Sequence, residues 1–119
     1  MDTNGTTPVA DLLHWRGELP SLIKDAYAAE TPAFLTRAHA AAATSKLLTG
    51  RARPDELTDW AQAVEFLEDL DFEAGQVDLL TQFLIEISTP ELFEPITVEL
   101  CRRWHHRLTR PTLPSSLEG

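Results

Sequence analysis

Cys101 and His105 come closest to a reactive or metal-binding pair, because they lie one helical turn apart with Glu99 nearby. A metal site needs three or four ligands, and successive helix positions point about 100° apart, so His105 and His106 cannot easily share one ion. No neighbouring residue marks Cys101 as an activated thiol. We therefore expect a buried Cys101, histidines at the core's rim, no metal or cofactor, and no catalysis. A small hydrolase or metal enzyme that uses Cys101, His105 and Glu99 ranks third among the functions that we consider, behind two that involve only protein binding.

Asp69, Asp71 and Glu73 alternate in DLDFEAGQVDLL in the manner of a calcium-binding loop. Such a loop requires glycine at its sixth position and a bidentate glutamate at its twelfth. The sequence has Ala74 and Leu80 there. We therefore interpret this segment as a solvated turn between helices.

An uninterrupted acidic run gives the chain its main functional signal. Residues 55–99 contain no Lys, Arg or His but thirteen carboxylates: Asp55, Glu56, Asp59, Glu65, Glu68, Asp69, Asp71, Glu73, Asp78, Glu86, Glu91, Glu94 and Glu99. Apolar residues at helical spacing separate them, so the run indicates folded helices and not a disordered tail. Such a surface repels nucleic acid and anionic membranes and favours a basic protein partner.

We predict the partner-binding residues where acidic side chains cluster between two helices. They are Glu65, Glu68, Asp69, Asp71, Glu73 and Asp78. Acidity for solubility alone would explain them as well, but contiguous like charges store self-repulsion that a basic partner relieves. The arginines that follow, at positions 102, 103, 107 and 110, are too few to indicate nucleic-acid binding.

Helical patterns position these residues. Prolines and capping residues predict helices starting near Pro8, Pro20, Thr31, Pro54 and Thr97, and Val77, Leu80, Phe83, Leu84 and Ile87 form one face of another. We expect the helix from Thr31 to reach Gly50 and bury Phe34, Leu35, Ala38, Ala41, Ala42 and Leu48. Whether the first two helices are one kinked helix stays open. No strand pattern of useful length is present.

The predicted fold is all-α, a single-domain bundle of about five or six helices over residues 8–110. Residues 1–7 are expected to be a flexible arm and residues 111–119 a flexible tail. A length of 119 residues suits one domain, and the net charge is −9. One cysteine, no signal peptide and no apolar membrane span are consistent with a cytoplasmic protein.

Residues 47–108 resemble a known family in the residues at which their helices begin and end. The basic turn after Gly50, the helix start with Glu56, Leu57, Asp59, Trp60 and Ala61, and the later LLTQFLIEISTPEL are the matching features. They are similar to small bacterial immunity proteins of contact-dependent inhibition and related polymorphic toxin systems. The resemblance implies a cytosolic, non-enzymatic protein that binds a cognate toxin domain, often a basic nuclease, either plugging its active site or blocking access to nucleic acid.

A regulatory or assembly adaptor is the alternative. In that case the arginine-rich helix at 102–110 of one copy would meet the acidic segment at 55–73 of another, and the chain would form a homodimer or a larger assembly.

Overall fold

Six α-helices make up most of residues 7–29 and 31–110, the part of the chain that this computed structural model describes. They are α1 (Pro8–His14), α2 (Leu19–Ala29), α3 (Arg37–Leu48), α4 (Pro54–Glu65), α5 (Val77–Ser88) and α6 (Val98–Thr109). Two short strands, β1 (Ala33–Leu35) and β2 (Leu70–Phe72), and a 3-10 turn at Pro90–Leu92 complete these elements. The prediction of a mostly helical single bundle is confirmed. Among the described helices, none is both long and apolar enough to cross a membrane.

The first two helices are separate. Trp15 ends α1 in the left-handed conformation (φ 55°), and its N–H donates to the Leu12 carbonyl at 3.0 Å. Gly17, expected at the end of this helix, lies in the following turn with φ 132°. At the other end, the Thr7 hydroxyl accepts a hydrogen bond from Ala10 N at 3.0 Å and caps α1. Most of the predicted arm, residues 1–6, and all of the predicted tail, 111–119, lie outside the described residues.

The prediction of a helix starting at Thr31, and of no strands, was wrong. Ala33–Leu35 is extended and pairs in parallel with Leu70–Phe72, so that Phe34 lies opposite Asp71. The helix begins only at Arg37, after Thr36 and His39 form a reciprocal cap: His39 N donates to Thr36 Oγ1 and Thr36 N to His39 Nδ1. Because the pairing joins segments far apart in sequence, no local pattern reveals it. The expected acidic turn therefore contains a strand.

The buried face of α3 also differs from the prediction. Its buried residues are Ala40, Ala41, Ala43, Thr44 and Leu47, whereas Phe34, Ala38 and Ala42 are exposed and Leu48 is half-buried. Packing against α6, the most extensive contact that α3 makes, sets this face. The small side chains at the interface still allow the close approach of a second helix.

Four aromatic rings form the centre of the core. Trp15 stacks on Trp60 with centroids 6.0 Å apart, and Phe83 meets Trp60 and Trp104 edge to face at 6.4 and 5.2 Å. The predicted core residues of α4 and α6 are buried: Leu57, Trp60, Ala61, Val64, Leu67, Leu100, Cys101, Trp104 and Leu108. In α5 the prediction fails at Val77, which is about half exposed because it lies at the helix's first position.

Candidate protein-interaction surface

The structure gives Cys101, His105 and Glu99 separate surroundings. Cys101 is completely buried, and burial raises the pKa of its thiol to about 11. His105 Nδ1 lies 3.1 Å from Thr44 Oγ1 and 3.2 Å from the Ala41 carbonyl oxygen, which ties α6 to α3. Glu99 is exposed and pairs with Arg102 at 3.2 Å. In residues 7–29 and 31–110, no group of three or more His, Cys, Asp or Glu side chains could hold a metal ion.

The predicted acidic residues follow one another along the end of α4, the β2 strand and the start of α5. Glu65 is partly exposed in the last turn of α4, Glu68 and Asp69 are exposed in the next turn, and Asp78 is exposed in the first turn of α5. Asp71 is exposed on β2, where its Oδ1 accepts a hydrogen bond from Phe72 N at 2.9 Å. We call Glu65, Glu68, Asp69, Asp71 and Asp78 the acidic surface.

Glu73, the sixth predicted residue, has an internal role. Its Oε1 accepts a hydrogen bond from Arg37 N at 2.9 Å, at the amino-terminal end of α3. The Arg37 Nε atom lies 3.5 Å from the same oxygen, an ion pair without hydrogen-bond geometry. A carboxylate at this end of a helix is favourable because it satisfies a backbone N–H and faces the positive end of the helix dipole. Glu73 therefore anchors α3 to the segment after β2.

Most carboxylates of the acidic run form no ion pair with the part of the chain that the structure describes. Five form ion pairs within the chain: Asp55, Glu56, Glu73, Glu94 and Glu99. The other eight form none with any described residue: Asp59, Glu65, Glu68, Asp69, Asp71, Asp78, Glu86 and Glu91. All five residues of the acidic surface belong to this second group, so their charge is directed to solvent.

The arginines of α6 interact with residues of α6 or of the segment just before it. Arg102 pairs with Glu99 at 3.2 Å, and Arg103 pairs with Glu94 at 2.6 Å. The Arg107 guanidinium lies 4.2 Å from the centre of the Trp104 ring. These exposed contacts add little stability, and the carboxylates that pair with Arg102 and Arg103 are not part of the acidic surface.

A groove of about 520 Å³ separates α2 from α4. From α2, Leu19, Ile23 and Tyr27 line it at helical spacing, and Ala63 and Phe66 of α4 face them. The Tyr27 hydroxyl donates to the Ala63 carbonyl at 2.8 Å and fixes that ring across the two helices. A smaller cavity next to it shares Tyr27 and Phe66 and reaches Glu68. We call the two cavities together the α2–α4 groove.

Charged residues line the same groove. They are Arg53, Glu56 and Asp59 towards the start of α4, and Glu68 beyond its end. Arg53 Nε lies 3.1 Å from Asp55, and Glu56 accepts a hydrogen bond from Arg53 N, so these residues serve the start of α4. Asp59 and Glu68 form no ion pair with a described residue. An apolar floor therefore lies between Asp59, whose nearest groove-lining cation is Arg53, and Glu68.

Sequence reasoning missed the exposed aromatic residues. Phe66 is 70% exposed and Phe34, opposite Asp71, is 51% exposed. Phe34 was predicted to lie on the buried face of a helix starting at Thr31, but that helix begins only at Arg37. The signal for Phe66 was available, because it falls outside the stripe of Leu57, Trp60, Ala61, Val64 and Leu67 that faces the core. Phe66 points to a contact surface only together with the apolar residues of the α2–α4 groove beside it.

Comparison of the chain with protein-family models, curated proteins and solved structures finds no match.

Proposed function

We propose that this chain is an immunity protein that binds and neutralises a basic, nuclease-type toxin domain in the cytoplasm, without catalysis of its own. The observation that carries the proposal is the acidic surface, whose five carboxylates form no ion pair with any described residue. Uncompensated like charges on a folded scaffold repel one another, and a basic partner relieves that repulsion. The resemblance of residues 47–108 to immunity proteins supports the same proposal.

The contact residues we propose are Glu65, Glu68, Asp69, Asp71 and Asp78. Glu73 is left out of this set because it anchors α3. The acidic surface attracts a basic protein and repels nucleic acid. This chain therefore competes with nucleic acid for the basic toxin, although its own surface does not recognise bases.

The direct test is protection of cells from a toxin. Each basic toxin domain encoded beside the gene for this chain is expressed alone and together with the chain. We expect survival with one such toxin, and a purified one-to-one complex with it. Failure to protect against any adjacent toxin, or the absence of a toxin gene there, would contradict the proposal.

Neutralising the acidic surface tests how the complex forms. The variant carries Glu65→Gln, Glu68→Gln, Asp69→Asn, Asp71→Asn and Asp78→Asn, which keep the side-chain shapes. We expect association with the toxin to slow about tenfold or more at low salt, with a flatter dependence on salt, because electrostatic steering is lost. An unchanged association rate in a folded variant would show that binding lies elsewhere.

A self-associating adaptor is the second candidate. Leu92 and Phe93, on the 3-10 turn, are 72% and 53% exposed and favour some apolar contact. The local pairing of Arg102 and Arg103 counts against the α6-to-α4 contact expected for such an assembly. Sedimentation over a wide concentration range decides between the two, since an adaptor of this kind gives a salt-sensitive dimer and an immunity protein stays monomeric until its toxin is added.

A further inference from the structure

We propose that the α2–α4 groove binds an amphipathic helix of a basic protein partner, with apolar side chains on the groove floor and Lys or Arg over Asp59 and Glu68. This inference deepens the proposed function and rests on it for the basic character of the partner. The groove itself is a separate surface feature and can be tested without any toxin.

The dimensions of the groove suit a helix. Along α4, Glu56, Asp59, Ala63 and Phe66 lie at helical spacing on one face. From position 56 to position 66 a helix rises about 15 Å, which is close to three turns of a bound helix. On the opposite wall, Leu19, Ile23 and Tyr27 repeat every four residues. Two facing stripes of this kind accept apolar side chains spaced one turn apart on a third helix.

Contacts within the chain fix the walls of the groove. Tyr27 is fixed by its hydrogen bond to the Ala63 carbonyl, and burial raises the pKa of its phenol, which keeps the donor proton in place. Phe66 ends α4 and stays 70% exposed, so its ring forms a wall without a covering side chain among the described residues. A preformed groove lowers the ordering cost of binding.

Charge decides the class of occupant. Asp59 and Glu68 lie at the two ends of an apolar floor and form no ion pair with a described residue. Arg53 also lines the groove but pairs with Asp55 and Glu56, so the lining as a whole is acidic. A partner helix with Lys or Arg on either side of its apolar residues would complement Asp59 and Glu68. Residues 1–6 and 111–119 contain no Lys or Arg, so this chain's own ends do not match it. A second copy would offer α6, whose Arg102 and Arg103 already pair with Glu99 and Glu94.

The test uses three synthetic helical peptides of about 14 residues, long enough to span the groove. The first has Leu or Phe at one-turn spacing with Lys on the flanks. The second keeps every Lys but replaces the apolar residues with Ser, and the third keeps the apolar residues but replaces Lys with Glu. Each is titrated into the full chain while backbone amide shifts are followed by NMR. We expect micromolar binding of the first peptide alone, with the largest shifts at Ile23, Tyr27, Ala63 and Phe66.

Matched variants locate the binding energy. Phe66→Ala should weaken the first peptide about fivefold or more, as expected for an aromatic anchor, and Asp59→Asn, at one end of the groove, about twofold. Leu92→Ala and Glu99→Gln remove an equally exposed apolar residue and an exposed carboxylate outside the groove, and should leave the affinity unchanged. All four positions are exposed, so the variants are expected to fold.

Several results would overturn the groove proposal. They are no binding of the first peptide, equal binding of the Ser peptide, equal loss in the Leu92 variant, or shifts confined to β2 and the start of α5. A dimer of the chain alone that dissociates in the Phe66 variant would assign the groove to a second copy and would also overturn it. Peptide binding in the groove with no protection from any toxin would retain this inference and reject the proposed function. Protection from a toxin whose measured affinity is the same for the native chain and for Phe66→Ala would do the reverse.

Discussion

At the scale of single residues, Trp60 connects elements that are distant in sequence. It is completely buried, stacks on Trp15, meets Phe83 edge to face, and donates from Nε1 to the Leu12 carbonyl at 2.9 Å. That carbonyl lies at the end of α1 and also accepts a hydrogen bond from Trp15 N at 3.0 Å. One indole therefore fills the core and adds a second hydrogen bond to a backbone carbonyl of α1.

Trp60→Phe separates these two roles, because phenylalanine keeps an aromatic ring and removes the donor. We expect the free energy of unfolding to fall by about 1–2 kcal/mol, from the lost hydrogen bond and the smaller ring, while Trp15 N still donates to the Leu12 carbonyl. Urea unfolding followed by far-UV circular dichroism measures the change. Phe34→Leu, at an exposed site, is the control and should change stability by less than about 0.5 kcal/mol. A Trp60 variant as stable as the control would show that the hydrogen bond contributes nothing.

His39 makes stability depend on pH. Its Nδ1 accepts from Thr36 N, and its Nε2 lies 3.3 Å from His14 Nε2. Burial first, and then the nearby His14 and Arg16, lower the pKa of His39 to about 4. A group with a lowered pKa contributes stability that is fully present above its unfolded pKa, near 6.5, and is lost as the pH falls towards its folded pKa.

His39→Gln should remove this dependence and keep the cap, because glutamine is a usual partner in a capping box. Between about pH 7.5 and about pH 5, we expect the native chain to lose on the order of 1 kcal/mol more stability than the variant, because solvent reaches part of the ring and screens the effect. Urea unfolding at the two pH values provides the comparison. An equal loss of stability in the two proteins would mean that His39 takes up its proton equally in the folded and unfolded states.

At the scale of elements, the contact between the β2 region and α3 decides which acidic residues are available to a partner. Glu73 N donates to the Leu35 carbonyl at 2.9 Å, and its carboxylate accepts from Arg37 N. Arg37 also donates from its guanidinium to the Arg110 carbonyl at 3.0 Å, at the end of α6. Glu73 and Arg37 thus join the sheet, α3 and α6.

Glu73→Ala should lower the free energy of unfolding by about 1–2 kcal/mol, because the amino-terminal end of α3 loses a charged acceptor. Glu68→Ala, five positions earlier and exposed, should change it by less than about 0.5 kcal/mol. In binding to a basic partner the order reverses, and Glu68→Ala has the larger effect on association. Chemical unfolding and stopped-flow binding of both variants test this division. If the two variants are equally stable, Glu73 does not anchor α3 and belongs among the proposed partner-binding residues.

At the scale of the whole molecule, charge is distributed unevenly around one core. The net charge is −9, and eight carboxylates of the acidic run form no ion pair with the described residues. Self-repulsion of this kind opposes the compact state and is screened by salt. The free chain is therefore expected to be less stable than its core alone would allow.

Raising the salt concentration from about 20 mM to about 300 mM NaCl should stabilise the free chain by an amount on the order of 1 kcal/mol, because the Debye length shortens. The variant with a neutral acidic surface loses five of the nine net charges and should respond less. Thermal unfolding of both proteins at matched salt concentrations measures the difference. If added salt destabilises the native chain or leaves it unchanged, ion pairs outweigh the repulsion.

The amino-acid sequence by itself determined the features that depend on neighbours within a few turns. Thr97 and Pro54 predicted the starts of α6 and α4, and apolar residues spaced three and four apart predicted the buried stripes around Trp60 and Trp104. Capping and one-sided burial act locally, so a local pattern is enough to read them. The acidic run and its position within folded helices were likewise visible from composition and spacing.

Only the tertiary structure decided the features that depend on distant partners. Residues 33–35 follow a proline in a helix-like pattern, yet they pair with residues 70–72, and that pairing moves the start of α3 and exposes Phe34. The same approach brings Glu73 to Arg37 N and removes it from the acidic surface. The groove arises because α2 and α4 lie side by side, with Tyr27 bonded to the Ala63 carbonyl. Each of these contacts joins positions about 36 residues apart, and its free energy depends on both segments at once.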